Sequence, residues 1–132
     1  MITSTGGLGW ERNRDLVVEL LETPDYETAD AWIAAHEGTD SYIFSKQAAN
    51  GYVARQALPL LARGIRINAV LPGPVLMPEG TPSAEQQAIV NATLVKREGT
   101  VEELARAIVF LLAISGSFVS ARASARSRSC RT

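Results

Sequence analysis

Tyr42 and Lys46 stand four residues apart in the segment Ser41-Tyr42-Ile43-Phe44-Ser45-Lys46. On a helix this spacing puts both side chains on one face, one turn from each other. An ammonium beside a phenol favours the ionised phenol and lowers a pKa that is ordinarily about 10. A tyrosine tuned in this way can exchange a proton with an alcohol oxygen near neutral pH. Taken alone, the pair also suits a half-buried tyrosine next to a solvated lysine, so the surrounding elements must decide between the two.

Those elements can be read outward from the pair. Ala49, Val53, Ala57 and Leu60, widened by Ala48 and Tyr52, form the seam of a helix over about 40–62, which Gly64 ends. The β-branched run from Ile65 to Leu71 follows at once and stops at Pro72-Gly73, as a buried parallel strand after a crossover helix would. The proline-rich loop of 72–83 then lies where open α/β sheets bind ligands. Upstream, Leu16, Val17, Leu20 and Leu21 predict a helix over about 11–22. Thr23-Pro24 breaks it and predicts a second helix, capped by Thr23, over 25–36. Met1-Ile2-Thr3-Ser4 reads as the end of a strand, and Gly6-Gly7-Leu8-Gly9 as a flexible turn. Ser83-Ala84-Glu85-Gln86 and Thr100-Val101-Glu102-Glu103 match the capping box and predict helices from about 84 and 101, the second nearly buried all round at its end. Ser120–Thr132 has no periodicity and no aromatic residue, and reads as a disordered tail.

Composition narrows the function classes. The chain has 132 residues, enough for one domain with a modest core. A net charge of −1 gives no electrostatic case for nucleic acid or a membrane surface as partner. All acidic residues precede position 104, while Arg122, Arg126, Arg128 and Arg131 crowd the tail. The single cysteine, Cys130, excludes an internal disulfide and is compatible with a cytoplasmic location; no Cys/His cluster suggests a metal. His36 reads as a surface or capping residue, and Trp10 and Trp32 as packing residues.

Three motifs in order give the chain a family resemblance. Tyr42 and Lys46 followed by Ala48 and Ala49, then Gly64 through Gly73, then Lys96 through Ala105, together resemble the short-chain dehydrogenase/reductase family over residues 1–119. The resemblance implies an α/β fold: part of a Rossmann-like, doubly wound parallel sheet, without its N-terminal dinucleotide-binding half and its last strand. It implies an NAD- or NADP-dependent oxidoreductase that interconverts a secondary alcohol and a ketone or aldehyde. In that scheme Tyr42 is the general acid/base, Lys46 holds the nicotinamide ribose and Ser4 polarises the substrate oxygen. Tyr42, Lys46, Pro72, Gly73 and Val75 would contact the cofactor. A small-molecule alcohol or carbonyl would be the partner, and the full-length form would be a homo-oligomer.

Three departures qualify the expectation. The interval between Ser4 and Tyr42 is long, filled by a helical insertion at 10–39 that resembles the 3α-hydroxysteroid dehydrogenase/carbonyl reductase subgroup and implies a lipophilic substrate, steroids included. Met77 stands where a threonine is usual in the family. Gly6-Gly7-Leu8-Gly9 does not qualify as the phosphate loop, because Arg12 occupies the third glycine position. Little turnover is therefore expected of the chain as written. The alternative is a non-catalytic fragment or interaction module that pairs with a full-length relative.

Overall fold

Two helices set face to face, one carrying Tyr42, organise the structure, a computed structural model that describes residues 1–76, 83–113 and 119. In chain order the helices are α1 (Arg14–Glu22), α2 (Tyr26–Ala35), α3 (Tyr42–Leu61), α4 (Ala84–Ala92) and α5 (Val101–Leu112). Short 3-10 turns at Thr5–Gly7 and Trp10–Asn13 precede α1. The tail expected to be disordered lies outside the described residues.

Four of the five described helices, all but α1, begin where a side chain takes up a free backbone N–H. Ser41 Oγ accepts from Phe44 N at the start of α3 (3.2 Å), and both expected capping boxes form, Ser83 with Gln86 and Thr100 with Glu103. The joint between α1 and α2 differs from expectation. Thr23 turns its hydroxyl back to the Leu20 carbonyl (2.7 Å) and closes α1, leaving Asp25 to cap α2 by accepting from Thr28 N (2.8 Å). That bond holds the Asp25 carboxyl below its usual range. At the far end of α3, Gly64 takes φ 72, and Ile65 N donates to Leu60 O while Gly64 N donates to Leu61 O, both at 2.9 Å. This is a Schellman ending, and it is why a glycine stands there. Pro59 sits inside the last turn, with no N–H to give the Arg55 carbonyl.

The core lies between α1 and α3. Val17 of α1 is fully buried, and Phe44, Ala48, Val53 and Ala57 of α3 are buried as well. Gly51 permits the contact: a Cβ there would run into Val17 Cγ1 and lie 3.3 Å from Trp10 Cε3. Tyr52, expected to widen the seam, is 40% exposed. Gln47 is buried among these apolar residues because its Oε1 accepts from Asn13 Nδ2 (2.8 Å), tying the second 3-10 turn to α3.

The expected α/β fold, a doubly wound parallel sheet, is not what forms. Among the described residues there is no strand; parallel pairing is confined to two isolated bridges, Ile2 with Val70 and Val75 with Gly99. The hydrogen bonds explain the shortfall. Val70 N donates to Met1 O (3.0 Å), Thr3 N to Val70 O (2.9 Å) and Thr5 N to Pro72 O (3.0 Å), the pattern of a parallel ladder. A second bridge would need an N–H at residue 72 to give the Thr3 carbonyl, and proline has none. Among the described residues, the bridge at Val70 is the parallel pairing of this run, and the Met1 amine donates to Asn68 O beside it (2.8 Å). The end of α5 departs from expectation for a related reason. No residue of α5 is buried, and Val109 and Leu112 are 62% and 77% exposed, because the described residues form no sheet beneath the helix. Arg66 Nη1 holds that end by donating to Leu111 O (3.0 Å).

Replacing Gly51 by alanine should destabilise the protein by about 1–3 kcal/mol, the usual cost of forcing a methyl into a filled contact. Urea denaturation followed by tryptophan fluorescence measures it; an unchanged midpoint would mean that α1 and α3 separate at no cost.

Candidate functional site

Ser4 caps the first 3-10 turn. Its Oγ accepts from Gly6 N (3.1 Å), which leaves the hydroxyl proton free to be donated elsewhere. The turn closes through Gly7 N on Ser4 O and Leu8 N on Thr5 O, both 3.0 Å. Thr5 N on Pro72 O sets this turn beside the Pro72–Gly73 segment.

Across from the turn stands the first turn of α3. A Cβ on Gly6 would lie 3.5 Å from Ser4 Oγ and 3.6 Å from Tyr42 Cε1, so the serine hydroxyl and the tyrosine ring flank the same point. Tyr42 is 63% exposed and open to a ligand. The Lys46 ammonium lies 5.2 Å from the centroid of the Tyr42 ring, over its face, within the range of a cation–π contact. The i, i+4 spacing thus places phenol and ammonium together as the sequence suggests, and Ser4 joins them although 38 residues separate it from Tyr42.

The third part of the site is the segment Pro72–Val75. Gly99 N donates to Pro74 O (2.9 Å) and Leu76 N to Gly99 O (2.8 Å). In such a parallel bridge the N–H and C=O of Val75 itself point away from Gly99. No atom would meet a Cβ on Gly73 within 4 Å. These free backbone groups fit the carboxamide of a nicotinamide, and the Lys46 ammonium fits a ribose hydroxyl. The fit stops at that end of a dinucleotide. Gly7, which a phosphate loop would leave open, is buried against α3, where a Cβ would lie 2.5 Å from Lys46 O. Met77 lies outside the described residues.

A cavity of about 300 Å³ opens on the other side of Pro72–Val75, lined also by Thr93, Val95, Arg97, Thr100 and Glu103. Ser4, Tyr42 and Lys46 are not among its lining residues. Its rim carries the strongest electrostatic feature of the described residues. Arg97 makes a two-pronged ion pair with Glu103, Nη2 to Oε1 at 2.6 Å and Nη1 to Oε2 at 2.9 Å, while Thr100 N donates to Glu103 Oε2 (2.9 Å). The Arg97 hydrogen bonds, then the Thr100 N–H, bring the Glu103 carboxyl down to about 2, and Glu103 in turn raises Arg97.

One feature was not singled out from the sequence. Asn50, four residues beyond Lys46 and so on the same stripe of α3, donates from Nδ2 to Gly7 O (2.9 Å) in a buried setting. The i+4 rule that finds Lys46 would have found it. His36 stacks on Trp32 (centroids 4.0 Å apart) with Nδ1 2.7 Å from Trp32 O, so its role is packing at the end of α2. Among the described residues, no group of three His, Cys, Asp or Glu side chains could hold a metal, and no helix is long and apolar enough to cross a membrane.

Comparison with known proteins agrees with the motif order. A short-chain dehydrogenase/reductase family model described as enoyl-(acyl carrier protein) reductase matches residues 28–125. A glucose and ribitol dehydrogenase of Daucus carota is 34% identical over 82 residues, 60% of this chain and 28% of that protein. A glucose 1-dehydrogenase of Gluconobacter oxydans is 37% identical over 82 residues, covering 59% and 31%. Protein FixR of Bradyrhizobium diazoefficiens is 33% identical over 79 residues, covering 60% and 28%. The match spans under a third of each relative's length. None of these three is named as a hydroxysteroid dehydrogenase, so the subgroup expected from the insertion at 10–39 gains no support from them.

The Glu103 carboxyl should stay ionised until the pH approaches about 2. Because its folded value lies below the ordinary 4.5, the stabilisation it brings to the start of α5 is full above that value and is lost as pH falls from 4.5 towards 2. Carboxyl-carbon NMR titration reads this directly. Arg97→Gln should move the midpoint back up towards the ordinary value, and a native midpoint already there would show that the fork does not persist in solution.

Proposed function

The chain belongs to the short-chain dehydrogenase/reductase family, and from that premise we propose that it carries the proton-transfer site of an NAD(P)-dependent oxidoreductase acting on a secondary alcohol and its ketone or aldehyde. One observation carries the proposal: Ser4 and Tyr42 converge on the same point beside Gly6, with the Lys46 ammonium over the tyrosine ring.

Each residue has a task that its surroundings support. The Ser4 hydroxyl, already an acceptor for Gly6 N–H, spends its proton on the substrate oxygen and orients it towards Tyr42. The Tyr42 hydroxyl gives that oxygen a proton in reduction and takes one in oxidation. Lys46 keeps a positive charge beside the phenol and donates to a ribose hydroxyl, while Pro72, Gly73 and the Val75 backbone border the nicotinamide. The bound nucleotide supplies or accepts the hydride. NAD and NADP both fit these residues, which touch only the end the two share.

The named relatives favour a sugar or sugar alcohol over a steroid as the substrate class. The open position of Tyr42 suits a hydrated, polyhydroxylated ligand better than a lipophilic one. A homo-oligomer in the cytoplasm is the corresponding proposal for the full-length form. A second reading, an interaction module that pairs with a full-length relative, is favoured by the exposed apolar side chains of α5, and it predicts no change in NADH or NADPH fluorescence on titration with the protein.

The deciding experiment uses the native protein purified from its own cells, assayed with NAD and NADP against a panel of aldoses and polyols. Turnover should be present in the full-length form, and Tyr42→Phe there should lower kcat/KM by about 10²–10⁴-fold, the span of a lost general acid/base. Full activity in that variant would remove Tyr42 from the mechanism.

A further inference from the structure

Tyr42, Lys46 and Asn50 follow one another at four-residue steps and so share one stripe of α3. The first two face the proposed substrate position; the third faces the Thr5–Gly7 turn. Asn50 Nδ2 donates to the Gly7 carbonyl at 2.9 Å, out of contact with water. Asn50 Oδ1 is buried too and has no hydrogen-bond partner among the described residues. A leucine of similar shape would remove that orphan but leave the buried Gly7 carbonyl unmatched, so the two choices are comparable in hydrogen-bond terms. Stability alone does not account for an asparagine here.

Its geometry does. The turn is one 3-10 turn long, closed by two backbone bonds, with Thr5 and Leu8 exposed on either side. Such turns have poor hydrogen-bond geometry and need outside support. The support comes at both ends: Thr5 N is fixed to Pro72 O, and Gly7 O is fixed by Asn50. Ser4, which caps the turn, stands directly before the first point, and between the two lies Gly6, which carries Ser4 Oγ on one side and the Tyr42 ring on the other. We propose that Asn50 is a positioning residue: by pinning the Gly7 carbonyl to the helix that bears Tyr42, it fixes the Ser4 hydroxyl at the distance from the tyrosine that proton transfer requires. The inference rests on the reading of Ser4 and Tyr42 given above.

The test compares Asn50→Leu and Asn50→Asp in the native protein, each read by amide hydrogen exchange and by steady-state kinetics. Asn50→Leu removes one orphan acceptor and creates another at the Gly7 carbonyl, so the melting temperature should move by a few degrees at most. Exchange at the Gly7 and Leu8 amides should quicken by about tenfold while the amides of Val53 and Ala57 keep their protection. The value of kcat should fall by about tenfold or more with KM for the dinucleotide unchanged, because the loss falls on the reacting geometry. Asn50→Asp keeps the shape but can donate only when its new carboxyl is protonated, and burial raises that carboxyl's pKa above the ordinary value of about 4, so the ratio of its kcat to that of the native protein should climb as the pH falls through the raised pKa. Unchanged exchange at Gly7 and Leu8 in Asn50→Leu overturns the pinning. An unchanged kcat in either variant, when Tyr42→Phe is inactive, overturns the positioning role alone. A fully active Tyr42→Phe marks instead the failure of the site's reading, and Asn50's part in catalysis falls with it.

Discussion

The close approach of α3 to the Thr5–Gly7 turn is the contact on which the other features depend. It is possible only because residue 7 has no side chain; any Cβ would meet the Lys46 carbonyl at 2.5 Å and Asn50 Nδ2 at 2.6 Å. With backbone set against backbone at that distance, Ser4 is carried to Tyr42 and the turn reaches Pro72. The Asn13–Gln47 bond and the Gly51 contact with Val17 continue the same seam further along the helix, so α3 is gripped on one side from its first turn to its third.

Local rules explain most of what the sequence predicted correctly. The Tyr42–Lys46 pairing, the two capping boxes and the Gly64 ending each follow from a few neighbouring residues, and each appears. The joint at residues 23–25 went otherwise because two capping residues competed. Thr23 lies close enough to α1 to bond the Leu20 carbonyl, and Asp25, which remains, is the stronger N-cap acceptor. A capping pattern shows that some residue will cap, but not which of two neighbours does so.

Non-local pairing was the part that could not be read. The run Ile65–Leu71 has strand chemistry, but a strand exists only through its neighbours, and the sequence says nothing about whether they are present. Here one bridge forms, at Val70, before Pro72 ends the ladder. The exposure of α5 follows directly, since its apolar stripe was patterned for a surface that these residues do not provide. Ser4 was legible only through family resemblance, because nothing local marks a turn serine as the partner of a tyrosine 38 positions away.

The arm holding α2 stands apart from this dependence. No residue of α2 is buried; it is joined to the rest by Trp32 stacking near Phe44 (centroids 6.2 Å apart) and by the buried Thr39 beyond its end. Its caps close it at both ends, so it behaves as an appendage with its own start and stop. The consequence concerns evolution rather than chemistry. Drift, lengthening or replacement in this arm leaves the glycine contact behind Ser4 and Tyr42 untouched, so a lineage can reshape the surroundings of these two residues while inheriting the proposed proton-handling pair unchanged.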